Sequence, residues 1–509
     1  MPRSHYCNRT GKSPFNYVVL TKSWRPSPTI VIDEAAALLP APKIRIWRGY
    51  SNHRQTALTN AALTPSPSQH PLQINGHGAW GALWNFETNT VTPLDLVSDT
   101  FCASGGFLSN GTMVSVGGQA VENPSTEPDT DGRMIIRLFE PDEVVPVHTA
   151  YFRRFPDGGR AGIHDRTPFY NTDPVNSFEF FPKKDNGIPR PSPFLERTLP
   201  SNLFPRVFAL PDGKVFMIAN NQSIIYDIET GIETHLPDIP NGVRVTNPLD
   251  GTATLLPLSP PLYTPEVLVC GGTNISDTIQ PIDLSSQDPA SDQCSRIVLT
   301  PEAIQKGWVV ERMLEGRIMP EMILMPDGRV VVVNGGRTGY AAFGGLALPT
   351  TENDYASRFK PVLYTPDAPL GRRFSNEGMP SSEIARLYHS TATLTPNGNI
   401  FIAGSNPNGG LVNGTKFHTE LRAEYLNPPY MSVPRPALHN VPKVIPFNHA
   451  FTVPVDIPAG LKATNLQVAL MDLGFSSHAF HSSSRLVFMD PSAERSRFPT
   501  WSSLRLFDG

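Results

Sequence analysis

A short motif recurs along this chain: a Pro/Ser-Asp/Asn-Gly turn, an apolar strand, and then often Gly or Asn. It stands at Leu108-Ser109-Asn110-Gly111 before Met113-Val114-Ser115-Val116-Gly117-Gly118, and at Pro211-Asp212-Gly213 before Val215-Phe216-Met217-Ile218. It returns at Pro326-Asp327-Gly328 before Val330-Val331-Val332-Val333, and at Pro396-Asn397-Gly398 before Ile400-Phe401-Ile402-Ala403-Gly404. Leu268-Val269-Cys270-Gly271-Gly272 supplies a further strand end. An Asp/Asn-Gly turn feeding a β-branched-rich run is a hairpin signal, and unrelated hairpins would have no reason to share one strand and glycine pattern. Repetition of the unit predicts an all-β chain built as a β-propeller. The 53 prolines, 39 glycines and charged fraction of only 17% fit many short strands joined by tight turns.

After Asn427-Pro428-Pro429 the character changes to strands such as Phe451-Thr452-Val453-Pro454-Val455 and Leu466-Gln467-Val468-Ala469-Leu470. These read as a small β-sandwich. The propeller is therefore expected over residues 71–427 and the sandwich over 428–509.

Several function classes find no support. Lys plus Arg number 42 against 46 Asp plus Glu, a formal net charge of −4, so neither nucleic acid nor an anionic membrane surface is an expected partner. No run approaches the length of a membrane span, and Met1 to Thr10 shows no apolar leader core. Gly335-Gly336-Arg337-Thr338-Gly339 lacks the spacing and the following helix of a phosphate loop. There is no Gly-x-Ser-x-Gly elbow for a serine hydrolase. Four cysteines (Cys7, Cys102, Cys270, Cys294) make neither a zinc cluster nor a dense disulfide framework, although Cys270 and Cys294 could close one bridge if the chain is secreted. Asn-X-Ser/Thr triplets at Asn8, Asn110, Asn221, Asn274 and Asn413 are compatible with secretion.

One constellation suits a transition metal. Tyr388-His389 sits in Ala385-Arg386-Leu387-Tyr388-His389-Ser390, and His478 lies far downstream in Gly474-Phe475-Ser476-Ser477-His478-Ala479-Phe480. Two imidazoles and a phenolate suit copper(II), whereas structural zinc would show thiolates at regular spacing. The bland alternative is that a Tyr-His dipeptide on a strand points to opposite faces, one to the core and one to the surface. Cys102, in Asp99-Thr100-Phe101-Cys102-Ala103-Ser104-Gly105-Gly106, has no cysteine partner at motif spacing, and a lone cysteine is usually a small buried hydrophobe. If the segment around His478 is a strand, His481 faces away from it. His164 and Asp165 read as a solvated loop.

Taken together, these segments resemble the glyoxal oxidase branch of the galactose oxidase-like copper radical oxidases. The resemblance extends to Gln73-Ile74-Asn75-Gly76-His77-Gly78-Ala79-Trp80, Asn334-Gly335-Gly336-Arg337-Thr338-Gly339, Pro361-Val362-Leu363-Tyr364, Asn376-Glu377-Gly378-Met379-Pro380 and Met471-Asp472-Leu473-Gly474-Phe475. It runs from about residue 70 to about 490 and leaves residues 1–70 as a poorly matched N-terminal segment. It implies a kelch-type seven-bladed β-propeller followed by an immunoglobulin-like sandwich, with fewer strands here than the family has. It also implies one copper ion held by Tyr388, His389 and His478, with a sandwich loop bringing His478 to the other two.

Cys102 would supply the sulfur of a Cys-Tyr thioether radical cofactor, and Tyr388 would be the axial phenolate and substrate base. The implied activity is oxidation of small aldehydes or primary alcohols by dioxygen, releasing hydrogen peroxide, in an extracellular monomer. Against this, the thioether's tyrosine is not found where the repeat asks for it. Cys102 precedes Ser109 by seven positions and Tyr388 precedes Pro396 by eight, so counting back from the turn at Pro156-Asp157-Gly158 gives His148 or Thr149. Tyr151 lies two positions on, on the same strand face. The strand expected after this turn is replaced by Ala161-Gly162-Ile163-His164-Asp165-Arg166, and a blade is read as shortened there. The alternative is thus a catalytically impaired propeller that binds copper or a carbohydrate surface.

Overall fold

A computed structural model of the chain describes residues 174–507 apart from 182, 281–282, 343–345, 348–359, 409–413, 415, 440–450, 461–465, 473, 483 and 496–500. Before residue 174 it describes shorter stretches between Asn16 and Tyr151. The expected turn at 156–158 and the pair His164 and Asp165 lie outside the described residues.

Strand-forming segments assemble as antiparallel meanders, in which successive strands pair except where the short hairpin Thr338–Gly339/Leu346–Ala347 intervenes. One sheet runs Ser104–Phe107, Met113–Val116, Ile135–Phe139, His148–Tyr151. A second runs Arg206–Ala209, Val215–Ala219, Gln222–Tyr226, Glu233–His235, and a third Gly251–Leu255, Glu266–Gly271, Gln293–Val298, Val309–Arg312. A fourth runs Glu321–Leu324, Val330–Val333, Val362–Tyr364, Phe374–Ser375. The fifth runs Ser390–Leu394, Ile400–Gly404, Ala423–Leu426 and is extended by Lys43–Ile46, which pairs in parallel with Ala423–Leu426. Among the described residues this is a propeller-like arrangement of five blade sheets, with a three-stranded sheet of Thr29–Asp33, Gly81–Asn85 and Thr90–Leu94 beside them.

The turn motif has one structural cause in three of these blades. Gly213 N donates to Leu210 O and Leu210 N to Lys214 O; Met325, Gly328 and Arg329 repeat the pair, as do Thr395, Gly398 and Asn399. The glycines stand at φ of +83°, +78° and +89°, the left-handed position that closes a three-residue hairpin. The strands that follow need not alternate, because neighbouring sheets cover both faces. Val330–Val333 and Ile400–Gly404 are buried at every position.

The last strands form a separate sheet. Arg485–Arg495 pairs with Leu466–Asp472 over its first half and with Trp501–Phe507 over its second, and Phe451–Asp456 pairs with the outer side of Trp501–Phe507. Val453 and Val455 pack against Leu466, Val468 and Met489 to form its core. Between Leu466–Asp472 and Arg485–Arg495 the chain makes the hairpin Phe475–Ser477/Phe480–Ser482.

The register corrects one sequence expectation. His148–Tyr151 is not the inner strand of a following blade. It pairs with Ile135–Phe139, Tyr151 opposite Ile135, as the outermost strand of the sheet that Ser104–Phe107 opens. Three strand spacings, about 14 Å, separate it from that inner strand. Counting positions from a turn fixes a distance along the chain, whereas sheet order is decided by which strands pair.

Candidate metal centre

The hairpin Phe475–Ser482 packs against the first strand of all five blade sheets: Ser104–Phe107, Arg206–Ala209, Gly251–Leu255, Glu321–Leu324 and Ser390–Leu394. Its seat is partly steric. A Cβ on Gly105 would come within 2.8 Å of the Phe475 ring, so only glycine lets the two approach this closely. Phe480 packs edge-on against Phe208, their ring centroids 5.3 Å apart. Polar anchors complete it: Ser477 Oγ donates to Ala103 O at 2.8 Å, Ser482 Oγ donates to Gly105 O, and Thr391 Oγ1 and Ser476 Oγ share a hydrogen bond of 2.7 Å.

His478 lies at the tip of this hairpin, where His478 and Ala479 have φ of +48° and +59°. Two-residue hairpins of this hand usually carry Asn-Gly, because a side chain costs about 1–2 kcal/mol per residue in the left-handed region. His389 (φ +62°) and Cys102 (φ +59°) are also left-handed. Three of the four sequence candidates thus occupy sparsely populated backbone, a pattern that concentrates at functional sites. No feature of the sequence announces it, since none of the three is Gly, Asn or Asp.

Tyr388 and His389 stand in a turn just before the strand Ser390–Leu394, so the strand rule of opposite faces does not apply to them. Their ring centroids are 3.8 Å apart. Backbone bonds from the next strand end brace the turn: Asn406 N donates to Tyr388 O, Ser405 N to His389 O, and Leu387 N to Ser405 Oγ, all at 2.9 Å. Gly404 (φ +72°) makes room, because a Cβ there would lie 2.4 Å from His389 O. Tyr388 is buried beside Leu387, Ile318, Met319 and Ala479, which places the Tyr388-His389 turn against the tip that carries His478.

Both imidazoles are held neutral. Burial pushes His389 down to about 4, countered in part by the Asn406 carbonyl, and holds His478 well below the ordinary imidazole value, with His389 and Arg206 nearby acting in the same sense. Their hydrogen bonds assign the tautomers. His389 Nδ1 lies 3.2 Å from Asn406 O, an acceptor, so Nδ1 carries the proton. His478 Nδ1 lies 2.7 Å from Ser477 Oγ, whose own proton is committed to Ala103 O, so again Nδ1 is the donor. Each ring therefore presents a lone pair at Nε2, the state in which histidine ligates metals. The His478 ring also stacks on Phe204, centroids 3.4 Å apart at 11°. Among the described residues no group of three His, Cys, Asp or Glu gathers as a metal site; two imidazoles beside a phenol is a donor set of another composition, and it fits copper.

Cys102 is half-buried and is not disulfide-bonded, and its neighbour Ala103 accepts the Ser477 bond described above, so the cysteine segment reaches the same hairpin tip. The strand His148–Tyr151 is the outermost of its blade. Sequence reasoning missed Arg206 and Glu321, both buried on inner strands. The available signal was a charged residue opening an otherwise apolar blade strand, as in Glu321-Met322-Ile323-Leu324.

The family model described as Glyoxal oxidase N-terminus matches residues 172–430, and Galactose oxidase-like, Early set domain matches 435–503. Cys102 lies before the first of these matches. The chain is similar to Aldehyde oxidase GLOX of Vitis pseudoreticulata, 32% identical over 433 residues, covering 80% of this chain and 76% of the relative. It is similar to Aldehyde oxidase GLOX1 of Arabidopsis thaliana, 30% identical over 434 residues, covering 81% and 67%. A solved structure of a fungal alcohol oxidase of the AA5 family in complex with copper aligns over 93% of each chain at 12% identity, with a TM-score of 0.48. The matched models and the identity to these relatives show that the chain belongs to the glyoxal oxidase family.

Proposed function

We propose that this protein is a copper-dependent oxidase of small aldehydes or primary alcohols. The reaction takes an aldehyde, water and dioxygen to a carboxylic acid and hydrogen peroxide, or a primary alcohol and dioxygen to an aldehyde and hydrogen peroxide. The observation that carries the reading is the pair of half-buried neutral imidazoles, His389 and His478, each with Nδ1–H engaged and Nε2 left as the lone-pair nitrogen, beside Tyr388. Aldehyde oxidases are among the similar proteins.

Tyr388, His389 and His478 would hold the ion. Copper bound there would accept electrons one at a time, so a two-electron oxidation calls for a second electron acceptor in the protein. In the family that acceptor is a cysteine-linked tyrosine, for which Cys102 offers the sulfur; we assign it no tyrosine partner. Tyr388 would take the substrate's proton through its Oη. Asn406 and the Ser477–Ala103 relay keep the two imidazoles in their ligating tautomers.

The same reading includes seven blades within 71–427, a sandwich over 428–509, a monomer, and an extracellular location. Two sheets outside the five blades support the blade count: the three-stranded sheet and the short pair Ser177–Phe178 with Arg190–Pro191. The buried disulfide Cys270–Cys294 and the exposed sequon asparagine Asn274 support an oxidising compartment. No helix among the described residues is long and apolar enough to cross a membrane.

The test is copper loading of the purified chain followed by a peroxide assay on methylglyoxal and glycerol after mild oxidation. Stoichiometric copper with peroxide release supports the oxidase. Copper without peroxide indicates the impaired, metal-binding alternative. Equal copper binding by wild type, His389→Ala and His478→Ala would sink the ligand assignment.

A further inference from the structure

We infer that Glu321 is a positioning residue that ties the His389-bearing turn to the His478-bearing hairpin. It opens the innermost strand of its blade and is 1% exposed. Its Oε2 accepts three hydrogen bonds: from Ser476 Oγ at 3.0 Å, from His481 Nε2 at 2.9 Å and from Ala392 N at 3.0 Å. Its Oε1 accepts a fourth, from Asn334 Nδ2 at 3.2 Å.

The donors define the role. Ser476 stands two residues before His478 and His481 three after it, on opposite strands of the hairpin, so one carboxylate oxygen grips both arms behind the tip. Ala392 stands three residues after His389, on the inner strand of the next blade. Because Ser476 donates to Glu321, it accepts from Thr391 Oγ1, which adds a second link between the same two segments. The turn carrying His389 and the tip carrying His478 are thus referenced to a single buried oxygen on a third element. A carboxylate is costly to bury, and an apolar residue would fill this strand position without desolvation cost. A group that only filled space would not need to join three segments.

The inference rests on reading His389 and His478 as ligands of one ion, so its test begins without the ion. Hydrogen exchange of the metal-free full chain is measured for wild type, Glu321→Ala and Glu321→Gln. We expect residues 388–394 and 475–482 to exchange at least about tenfold faster in Glu321→Ala, with the strand Val215–Ala219 unchanged, and most protection restored in Glu321→Gln. Copper affinity of Glu321→Ala should fall about 10–100-fold. Unchanged exchange in the two segments, or a uniform rise over all blades, would overturn the inference. Should Glu321→Ala fail to fold, Glu321→Gln decides: a smaller rise confined to the two segments supports the tie, and none overturns it. His478→Ala in the same series reads the ligand assignment separately. If His478→Ala keeps full copper affinity while Glu321→Ala loosens the two segments, the tie stands and the ligand reading fails.

Discussion

Arg206 Nη1 donates a hydrogen bond of 2.9 Å to the main-chain carbonyl of His478, across 272 residues of sequence. The guanidinium is fully buried, and its other donors reach Asp250 Oδ1 at 2.7 Å, Gly251 O at 2.9 Å and Val245 O at 3.2 Å. It also lies over the Phe480 ring, 5.5 Å from its centroid. An inner blade strand therefore holds the backbone of the hairpin tip directly, and a left-handed His478 persists because its surroundings over-determine it.

Arg206→Met should destabilise the protein by about 3–5 kcal/mol, because Asp250, whose carboxyl burial already pushes up to about 7, is left buried without its partner and must take up a proton to stay there. Adding Asp250→Asn should recover part of this. Urea unfolding of the two variants checks it, and a loss below about 1 kcal/mol in Arg206→Met would mean that the pair contributes little to holding the tip.

Stability of the metal-free protein should fall on acidification through His389. Its folded value lies near 4 and the unfolded value near 6.5, so below pH 6.5 the unfolded chain takes up a proton that the folded protein refuses. The contribution is complete above pH 6.5 and is lost as pH falls toward 4, the loss amounting to about 2 kcal/mol by pH 5. Wild type should therefore lose about that much more than His389→Asn between pH 7 and pH 5 in matched denaturation curves. Parallel curves would refute the neutral imidazole.

Ala479→Gly should stabilise the fold. Ala479 holds φ +59° in the two-residue turn, a strain of about 1–2 kcal/mol, while glycine costs about 0.4–1 kcal/mol through the unfolded chain. The expected net gain is up to about 1 kcal/mol in unfolding free energy from urea denaturation. A loss would show that the Ala479 methyl, packed in the cluster with Tyr388, outweighs the strain.

The disulfide Cys270–Cys294 joins directly opposed residues of neighbouring strands and closes a loop of 24 residues. Replacing both cysteines by alanine should lower stability by about 3 kcal/mol. Denaturation with and without reductant reads the same quantity in the native chain. If reductant leaves the midpoint unmoved, the thiols are not joined in the purified protein.

Much of this molecule is legible in its amino-acid order. The turns at 211–213, 326–328 and 396–398 take the same hydrogen-bond pattern because Asp/Asn-Gly chemistry acts over four or five neighbouring residues. The Tyr388-His389 and His478 candidates were also visible as residue types. What residue types alone do not carry is the backbone that presents them: Tyr388 and His389 lie in a turn with a left-handed His389, where the rule of alternating strand faces does not hold. Nor does spacing along the chain carry strand order, since the strand His148–Tyr151 is an outer one.

The chain's own order determined which segments become strands, where they turn, and which side chains can ligate a metal, since each depends on residues a few positions apart. Only tertiary structure decided that Glu321, Arg206, Cys102 and the Tyr388-His389 turn would meet at one hairpin tip. Those contacts join residues 85 to 377 positions apart, and what brings them together is the packing of inner blade strands around Phe475–Ser482.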